Sequence, residues 1–449
     1  MKKYDIICIG TGGAGNTASA KLAKEGKKVL ICDYAPFGGT CAISGCDPKK
    51  IMITAAEFSD FARRLLKNNV IGEKPVLSWA DMMAHKRRFT EGHPAHLTHK
   101  YDKLGIDYVY GRAEFTGEHT LKIGAEEYEF GKCLIGTGSR PFPLPFEGAE
   151  YVADNSVFLD MDELPDSLLF IGGGYISVEF ANIASAFGAH CTIVQADDRL
   201  VPAFDKDIAD VMTESLKSKG MEIICGAKVK KIEKTPEGYN VCLATAEGER
   251  TICAGLPVHG AGRVANLEGL NPEKGNVSVS RRGVEVNKYM QSVSNPDVFA
   301  AGDCADTGGY MLSPVAFMEG YAAAVNMMGE NVMTPDHADN ATVMFNVPAV
   351  AAIGLTETQA KEAGIDYSVK FKRTESWFTS FRVMEEFSAY KVLTDKKTGL
   401  IVGAHLIGPH AEDVINIFAV AMKQRVKAAD LKKIVYAYPT ASSDIIHML

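Results

Sequence analysis

YDIICIGTGGAGNTASAKLAKEGKKVLICD, from Tyr4 to Asp33, decides the fold. Tyr4–Ile9 is a short apolar run, the pattern of a parallel strand buried on both faces. Gly10, Gly12 and Gly15 follow at the spacing of a tight turn into a helix, and the helical pattern runs through Leu22 to Glu25. A second apolar run, Lys28 to Cys32, ends at the acidic Asp33. Glycines at these positions let the backbone approach a pyrophosphate at the helix N-terminus, and the terminal acid accepts from a ribose hydroxyl pair. A bare glycine triplet is weak, but this one has its strand, helix, second strand and acid.

The same grammar returns at LLFIGGGYISVEFANIASAFGAHCTIVQ, Leu168 to Gln195. Gly172 and Gly174 open the turn, Tyr175 and Ile176 begin the helix, and Ser177 takes the third glycine's place. Gln195 stands where an acid is expected, followed by Asp197, Asp198 and Arg199. The two aspartates oppose a 2′-phosphate and Arg199 favours one, so the balance leans to NADH over NADPH. Two complete units in one chain imply two dinucleotides.

Between them lies GGTCAISGCDPKK, Gly38 to Lys50. In a helix entered after Thr40, Cys41 and Cys46 fall within about one and a half turns. Their sulfurs then meet if the first turn is distorted enough for disulfide geometry. One thiol can attack an oxidised acceptor and the other can close the disulfide behind it. A structural disulfide, or two unrelated thiols, is the plainer reading of the spacing taken alone.

With its flanking residues, this segment resembles that of the flavin disulfide reductases, the class I pyridine nucleotide-disulfide oxidoreductases that include glutathione reductase, dihydrolipoamide dehydrogenase and mercuric reductase. The likeness covers nearly the whole chain. Cys133–Pro141 resembles the family's Ala-Thr-Gly-Ser-x-Pro segment, His259–Asn266 its Gly-Arg-x-Pro-Asn segment, and Leu312–Ala316 its Leu-Thr-Pro-Val-Ala helix start. The resemblance implies an α/β fold with two Rossmann-like dinucleotide-binding domains and a C-terminal α+β dimerisation domain. Its implied boundaries are FAD-binding 1–149 and 275–336, NAD(P)-binding 150–274 and interface 337–449. It places Gly10, Gly12, Gly15, Asp33, Thr40, Lys49, Ala113, Thr137, Gly138, Gly302, Asp303 and Ser313 at FAD. It places Gly172, Gly174, Tyr175, Ile176, Glu179, Gln195 and Gly262 at the nicotinamide cofactor, with Tyr175 as gate. Cys46 becomes the flavin-side thiol and Cys41 the substrate-side thiol; Lys49 and Glu179 become an ion pair beside the flavin. No resident metal is implied.

Two departures stand out. Asp47 follows Cys46 where relatives usually carry an apolar residue, and a neighbouring carboxylate tends to raise a thiolate's pKa. Tyr438-Pro439-Thr440-Ala441-Ser442-Ser443 stands where disulfide-reducing relatives carry His-Pro-Thr-x-x-Glu, supplied by the other subunit. Tyr438 thus replaces an acid–base histidine, and a phenol that titrates near 10 is a poor proton shuttle at neutral pH. The expected function is electron transfer from NAD(P)H through flavin and the Cys41–Cys46 disulfide to a disulfide-type small-molecule acceptor. Reduction of a soft metal ion or a quinone by the same thiols is an alternative. A catalytically decayed flavin-binding subunit is another.

Elsewhere, Trp79–Lys103 reads as polar helix interrupted by Gly92 and Pro94, carrying His85, His93, His96 and His99. A solvated surface explains these histidines; by position His93 also falls where relatives line the disulfide-side cleft. Tyr108–Phe115, Thr120–Ile123 and Glu126–Phe130 read as a small antiparallel meander. The chain has 449 residues, 46% hydrophobic and 23% charged, with a net charge of −8 and ten cysteines. That composition suits a large soluble enzyme, argues against nucleic acid as a main partner and offers no membrane span. Strand-like sequence from the N-terminus gives no sign of a signal peptide, and scattered cysteines suit a reducing cytoplasm. A homodimer is expected.

Overall fold

The computed structural model describes all residues, Met1 to Leu449. The chain folds into two compact units: Met1–Pro48, Met83–Pro143 and Gly262–His337 form the first, and Lys49–Met82, Leu144–Ala261 and Ala338–Leu449 the second.

The first unit is built on a seven-stranded sheet. Strand Lys2–Ile9 lies at its centre, parallel to Val29–Asp33 on one side and to Glu126–Ile135 on the other. Side chains alternate across a strand, so the apolar run in Lys2–Ile9 feeds two cores. Ile6 and Cys8 pack with Ala14, Ala18 and Leu22 of helix Gly13–Lys24 and with Ala322, Ala323 and Ala324 of helix Ser313–Met327. Ile7 and Ile9 face the other way, onto Phe115, Leu121 and Phe130. The two helices meet through small residues, and a side chain at Gly320 would run into the Ala14 carbonyl.

The expected meander is only partly an antiparallel one. Asp107–Tyr110 is a parallel edge strand beside Val29–Asp33. The meander proper is Ala113–Gly117, Thr120–Ile123 and the start of Glu126–Ile135. The break at Gly111 and Arg112 separates two strands of different roles that read as one run of β-forming residues. Glu126–Ile135 serves both halves, antiparallel to the meander and parallel to the central strand.

In the second unit, Ser167–Ile171, His190–Val194, Glu222–Ile224 and Leu256–His259 form an all-parallel four-stranded sheet. Glu222–Ile224 belongs here, whereas Lys228–Thr235, Gly238–Thr245 and Gly248–Ala254 make a separate antiparallel meander. From Thr342 the chain builds a five-stranded antiparallel sheet, and helix Ala411–Lys423 covers it through Val414, Ile415 and Phe418. The chain is thus α/β, with two dinucleotide-type sheets and an α+β C-terminal portion.

Candidate active site

In the first unit the fingerprint glycines do different jobs. Gly10 has φ 101°, and a side chain there would strike the Gly136 carbonyl. A Cβ on Gly12 would meet only the Cα of Gly39, at 3.8 Å, so that face stays open to a pyrophosphate. Asp33 is drawn into the turn: its Oδ2 accepts from the Thr11 amide at 2.8 Å and the Thr11 hydroxyl at 2.7 Å, and its Oδ1 from the Ala35 amide at 3.0 Å. A carboxylate has about four acceptor positions, so room for one ribose hydroxyl remains. The cradle fits the ADP end of FAD.

Gly38 and Gly39 carry the chain from this loop to the thiols. Gly39 has φ 68° and sits so close to Gly12 that any side chain would collide with its Cα. The cysteines do not share one helix. Cys41 lies in helix Gly39–Ser44, the chain breaks at Gly45 (φ −143°, ψ −118°), and Cys46 opens helix Cys46–Lys67. A Cβ on Gly45 would come within 2.6 Å of the Thr40 carbonyl oxygen, so the break is tight. It puts the two thiols on separate helices, near enough for Cys46 to act on Cys41. Both cysteines are free thiols, and Cys46 Sγ lies 3.7 Å from the hydroxyl of Ser313, the first residue of helix Ser313–Met327. The hydrogen bond with Cys46 pushes the Cys41 thiol far up. Burial and the nearby Cys46 and Asp47 charges push the same way, while Ser313 opposes.

Of the remaining flavin-side positions, Thr40 sits in the first turn of the first cysteine helix, and Ala113 is buried at the start of its strand. Asn266 ties the Thr137–Gly138 turn by donating its amide to the Gly138 carbonyl at 2.9 Å. Asp303 accepts from the Ser139 hydroxyl at 2.7 Å. Sequence reasoning missed Glu319. This buried carboxylate accepts from the Gly302 amide at 2.7 Å and the Thr307 hydroxyl at 2.8 Å, and pairs with His337 at 2.6 Å. It therefore fixes the Gly302–Asp303 turn. The visible signal was one acid inside an otherwise apolar helix, SPVAFMEGYAAAVNM.

The second unit repeats the loop logic. Gly172 has φ 98° and faces the Gly260 carbonyl. Ser177 is buried against Gly260 so closely that only glycine fits there. The Gln195 side chain accepts from the Gly173 amide at 2.8 Å and donates to Asp197 at 2.6 Å. Gln195 thus fastens this loop as Asp33 fastens the first. Arg199 donates both terminal nitrogens to main-chain carbonyls, Phe204 and Pro202, each at 2.9 Å. Gly174 and Ile176 flank Tyr175 at the helix start, and the Tyr175 ring packs 5.5 Å from Phe204 with its hydroxyl on Thr342. Gly262 belongs to the first unit, where its carbonyl accepts from the Phe142 amide at 3.0 Å.

Lys49 and Glu179 do pair, at 2.8 Å, and both are buried. Lys50, unremarked in the sequence, makes a second bond to the same oxygen at 2.8 Å and lies 4.2 Å from the Phe345 ring centre. The other Glu179 oxygen accepts from the Phe345 amide at 2.9 Å. Burial would push the Glu179 carboxyl up, but Lys49 and Lys50 together hold it below the ordinary range.

Tyr438 stands 77% exposed in the C-terminal portion, its ring stacked on Phe378 with centroids 6.4 Å apart. Ser443 caps a short turn with Thr440 rather than orienting another side chain, and Asp444 accepts from the Thr379 hydroxyl. His93 is half-buried and rests against Gly38, while His85, His96 and His99 are exposed.

Comparison with known proteins identifies the family. Residues 4–320 match the pyridine nucleotide-disulphide oxidoreductase family, and residues 340–449 match its dimerisation domain. Glutathione reductase of a Nostoc species is 31% identical, with 99% of each chain covered. Dihydrolipoyl dehydrogenase of Bacillus subtilis is also 31% identical, covering 97% of this chain and 93% of that one. Among solved structures, the HOCl-induced flavoprotein disulfide reductase RclA from Escherichia coli superposes with a TM-score of 0.88 at 26% identity, over 99% of both chains. The family uses FAD with NAD(P)H. No helix is long and apolar enough to cross a membrane. The chain therefore carries two glycine loops, a broken-helix dithiol and a dimerisation domain, and it belongs to the class I pyridine nucleotide-disulfide oxidoreductase family.

Proposed function

We propose that this protein is a homodimeric flavoenzyme that takes electrons from NADH and delivers them, through the Cys41–Cys46 pair, to a small disulfide-type acceptor. The observation that carries the reading is the dithiol: Cys41 and Cys46 are both unoxidised thiols, joined across a helix break and near enough for Cys46 to push the Cys41 thiol up. FAD, when bound, supplies the two-electron link between the nicotinamide and this pair. Cys46, beside Ser313, serves as the flavin-side thiol; Cys41 is the thiol that attacks the acceptor. The attack forms a mixed disulfide, and Cys46 then resolves it.

NADH is favoured because both terminal nitrogens of Arg199 are committed to main-chain carbonyls and Asp197 is held beside Gln195. A 2′-phosphate would meet carboxylates there rather than a free guanidinium. Glu179 holds Lys49 in the buried ion pair and so fixes its ammonium. Tyr438 offers a hydroxyl that can hydrogen-bond an acceptor or a thiolate. The experiment is an anaerobic NADH and NADPH titration of the holoenzyme, followed by turnover with glutathione disulfide, lipoamide and coenzyme A disulfide. Flavin bleaching by NADH with turnover of at least one disulfide supports the reading. Bleaching without turnover of any disulfide overturns the acceptor class. A kcat/KM more than about tenfold higher with NADPH, about 1.4 kcal/mol, overturns the nicotinamide choice.

A further inference from the structure

Asp303 is a carboxylate with one oxygen already committed. Its Oδ2 accepts from the Ser139 hydroxyl at 2.7 Å. The turn that carries it is pinned separately, by the Gly302 amide on Glu319 at 2.7 Å. Ser139 is itself held by Arg263, whose Nε donates to Ser139 Oγ at 2.9 Å and whose Nη2 donates to the Ser139 carbonyl at 2.6 Å. A short antiparallel ladder sets this reach. Arg263–Ala265 runs beside Ser139–Pro141, with Arg263 opposite Pro141 and Ala265 opposite Ser139. A residue two places along from the direct partner lies on the same face, within reach of a long side chain. Ser139 is 9% exposed, so protein partners rather than solvent settle its hydroxyl. All of these residues lie in the first unit.

The chain of bonds has a fixed direction. A guanidinium only donates, and a serine hydroxyl owns one proton. Arg263 donates into the Ser139 oxygen, so the Ser139 proton is committed to Asp303. The relay therefore runs from Arg263 through Ser139 to Asp303, charged at both ends, and each bond strengthens the next. With Oδ2 fixed in this way, the plane of the carboxylate is fixed, and Oδ1 is an oriented oxygen that can only accept.

We propose that Arg263 and Ser139 are positioning residues for the flavin, aiming Asp303 so that its Oδ1 accepts a hydroxyl of the FAD ribityl chain. An ionised oxygen that can only accept suits a hydroxyl and repels a phosphate. Asp33 already serves the ribose at the other end of the cofactor, so the hydroxyls left to recognise are those of the ribityl chain. The proposal rests on the flavoenzyme reading above and deepens it. It also gives the His259–Asn266 segment work on the flavin side, although the resemblance sets Gly262 at the nicotinamide cofactor. Two further bonds agree with that work. The Asn266 amide donates to the Gly138 carbonyl at 2.9 Å, and the Phe142 amide to the Gly262 carbonyl at 3.0 Å.

The test is the rate of FAD release from full-length holoenzyme, followed as the rise of flavin fluorescence after dilution. Ser139→Ala is expected to speed release by about tenfold or more, the loss of a hydrogen bond to a charged group. Ser139→Thr keeps the hydroxyl and is expected to release FAD at close to the wild-type rate. Arg263→Gln also speeds release, because the Ser139 proton is no longer committed; Ser139→Ala carries the test if that variant folds poorly. A cycle with Asp303→Ala separates aiming from general loosening. Once the carboxylate is gone there is nothing to aim, so adding Ser139→Ala changes the rate by less than about twofold. Wild-type release from Ser139→Ala overturns the proposal, as does a full additional effect in the double variant. ADP, which has no ribityl chain, gives an independent check on the flavin-free full-length chain. Ser139→Ala is expected to leave ADP affinity unchanged, and an equal loss for ADP and FAD would contradict the assignment. A chain that binds no FAD at all overturns the flavoenzyme reading together with the proposal. A chain that binds FAD but is indifferent to Ser139→Ala overturns the proposal alone.

Discussion

At the scale of residues, Glu179 is the most telling side chain. It is 1% exposed and holds two ammonium groups on one oxygen. Removing one partner from a buried ion pair leaves an uncompensated charge, at a cost of about 3–5 kcal/mol. Glu179→Gln is therefore expected to lower unfolding stability by that order, read in urea melts at neutral pH. Lys50→Met is expected to cost less, since Lys49 still neutralises the carboxylate. The pH dependence follows from the sign of the shift. The folded carboxyl lies below its ordinary value of 4.5, so its stabilisation is full above that pH and is lost as pH falls through the lower folded value. Wild type should lose that increment on acidification below about pH 4.5, whereas Glu179→Gln should lack it. Lys49 and Glu179 were legible because each falls inside a recognisable motif. Lys50 and Phe345 were not. Neighbours on a helix point about 100° apart, so nothing in the spacing says that two consecutive lysines bend to one oxygen. Glu319 was hidden for a similar reason, since its partners Gly302, Thr307 and His337 come from separate stretches.

At the scale of elements, the path from the first glycine loop to the dithiol is set by backbone contact rather than side chains. Gly39 combines a left-handed φ of 68° with a backbone neighbour where its Cβ would point. Gly26 has a similar φ of 77° with nothing near. Gly26→Ala should cost about 1–2 kcal/mol, the left-handed penalty alone. Gly39→Ala should cost more and also reduce flavin retention, measured by the absorbance ratio after gel filtration. Equal costs would mean the Gly12–Gly39 approach is not tight in solution. The strand-turn-helix-strand units were legible because doubly buried parallel strands leave unbroken apolar runs. The Gly45 break was only half legible: Gly45 and Pro48 are poor helix formers, yet the cysteine spacing alone is also met by one helix with a distorted first turn. The Tyr108–Phe115 run reads as a single hairpin arm because β propensity does not tell a parallel edge strand from one.

At the scale of the whole molecule, the C-terminal portion leaves Phe381 73%, Tyr438 77% and Val435 96% exposed within the dimerisation domain. Exposed apolar groups in such a domain are expected to be covered by a second copy. Phe381→Glu combined with Val435→Glu should convert the sedimenting species from dimer to monomer, with flavin still bound and turnover lost. A wild-type enzyme that is active as a monomer would contradict this. The domain order and the dimerisation domain were legible from motif sequence; the acceptor was not, since glutathione reductase and dihydrolipoyl dehydrogenase resemble the chain equally, at 31% identity. The central claim is that Cys41 and Cys46 form one redox couple in series with the flavin. Its most direct test is anaerobic reductive titration of oxidised holoenzyme, following flavin absorbance and free thiols together. The account predicts that wild type takes up one more two-electron equivalent than Cys41→Ser or Cys46→Ser, with two thiols appearing. Equal uptake by all three proteins, with no new thiols in wild type, would contradict it.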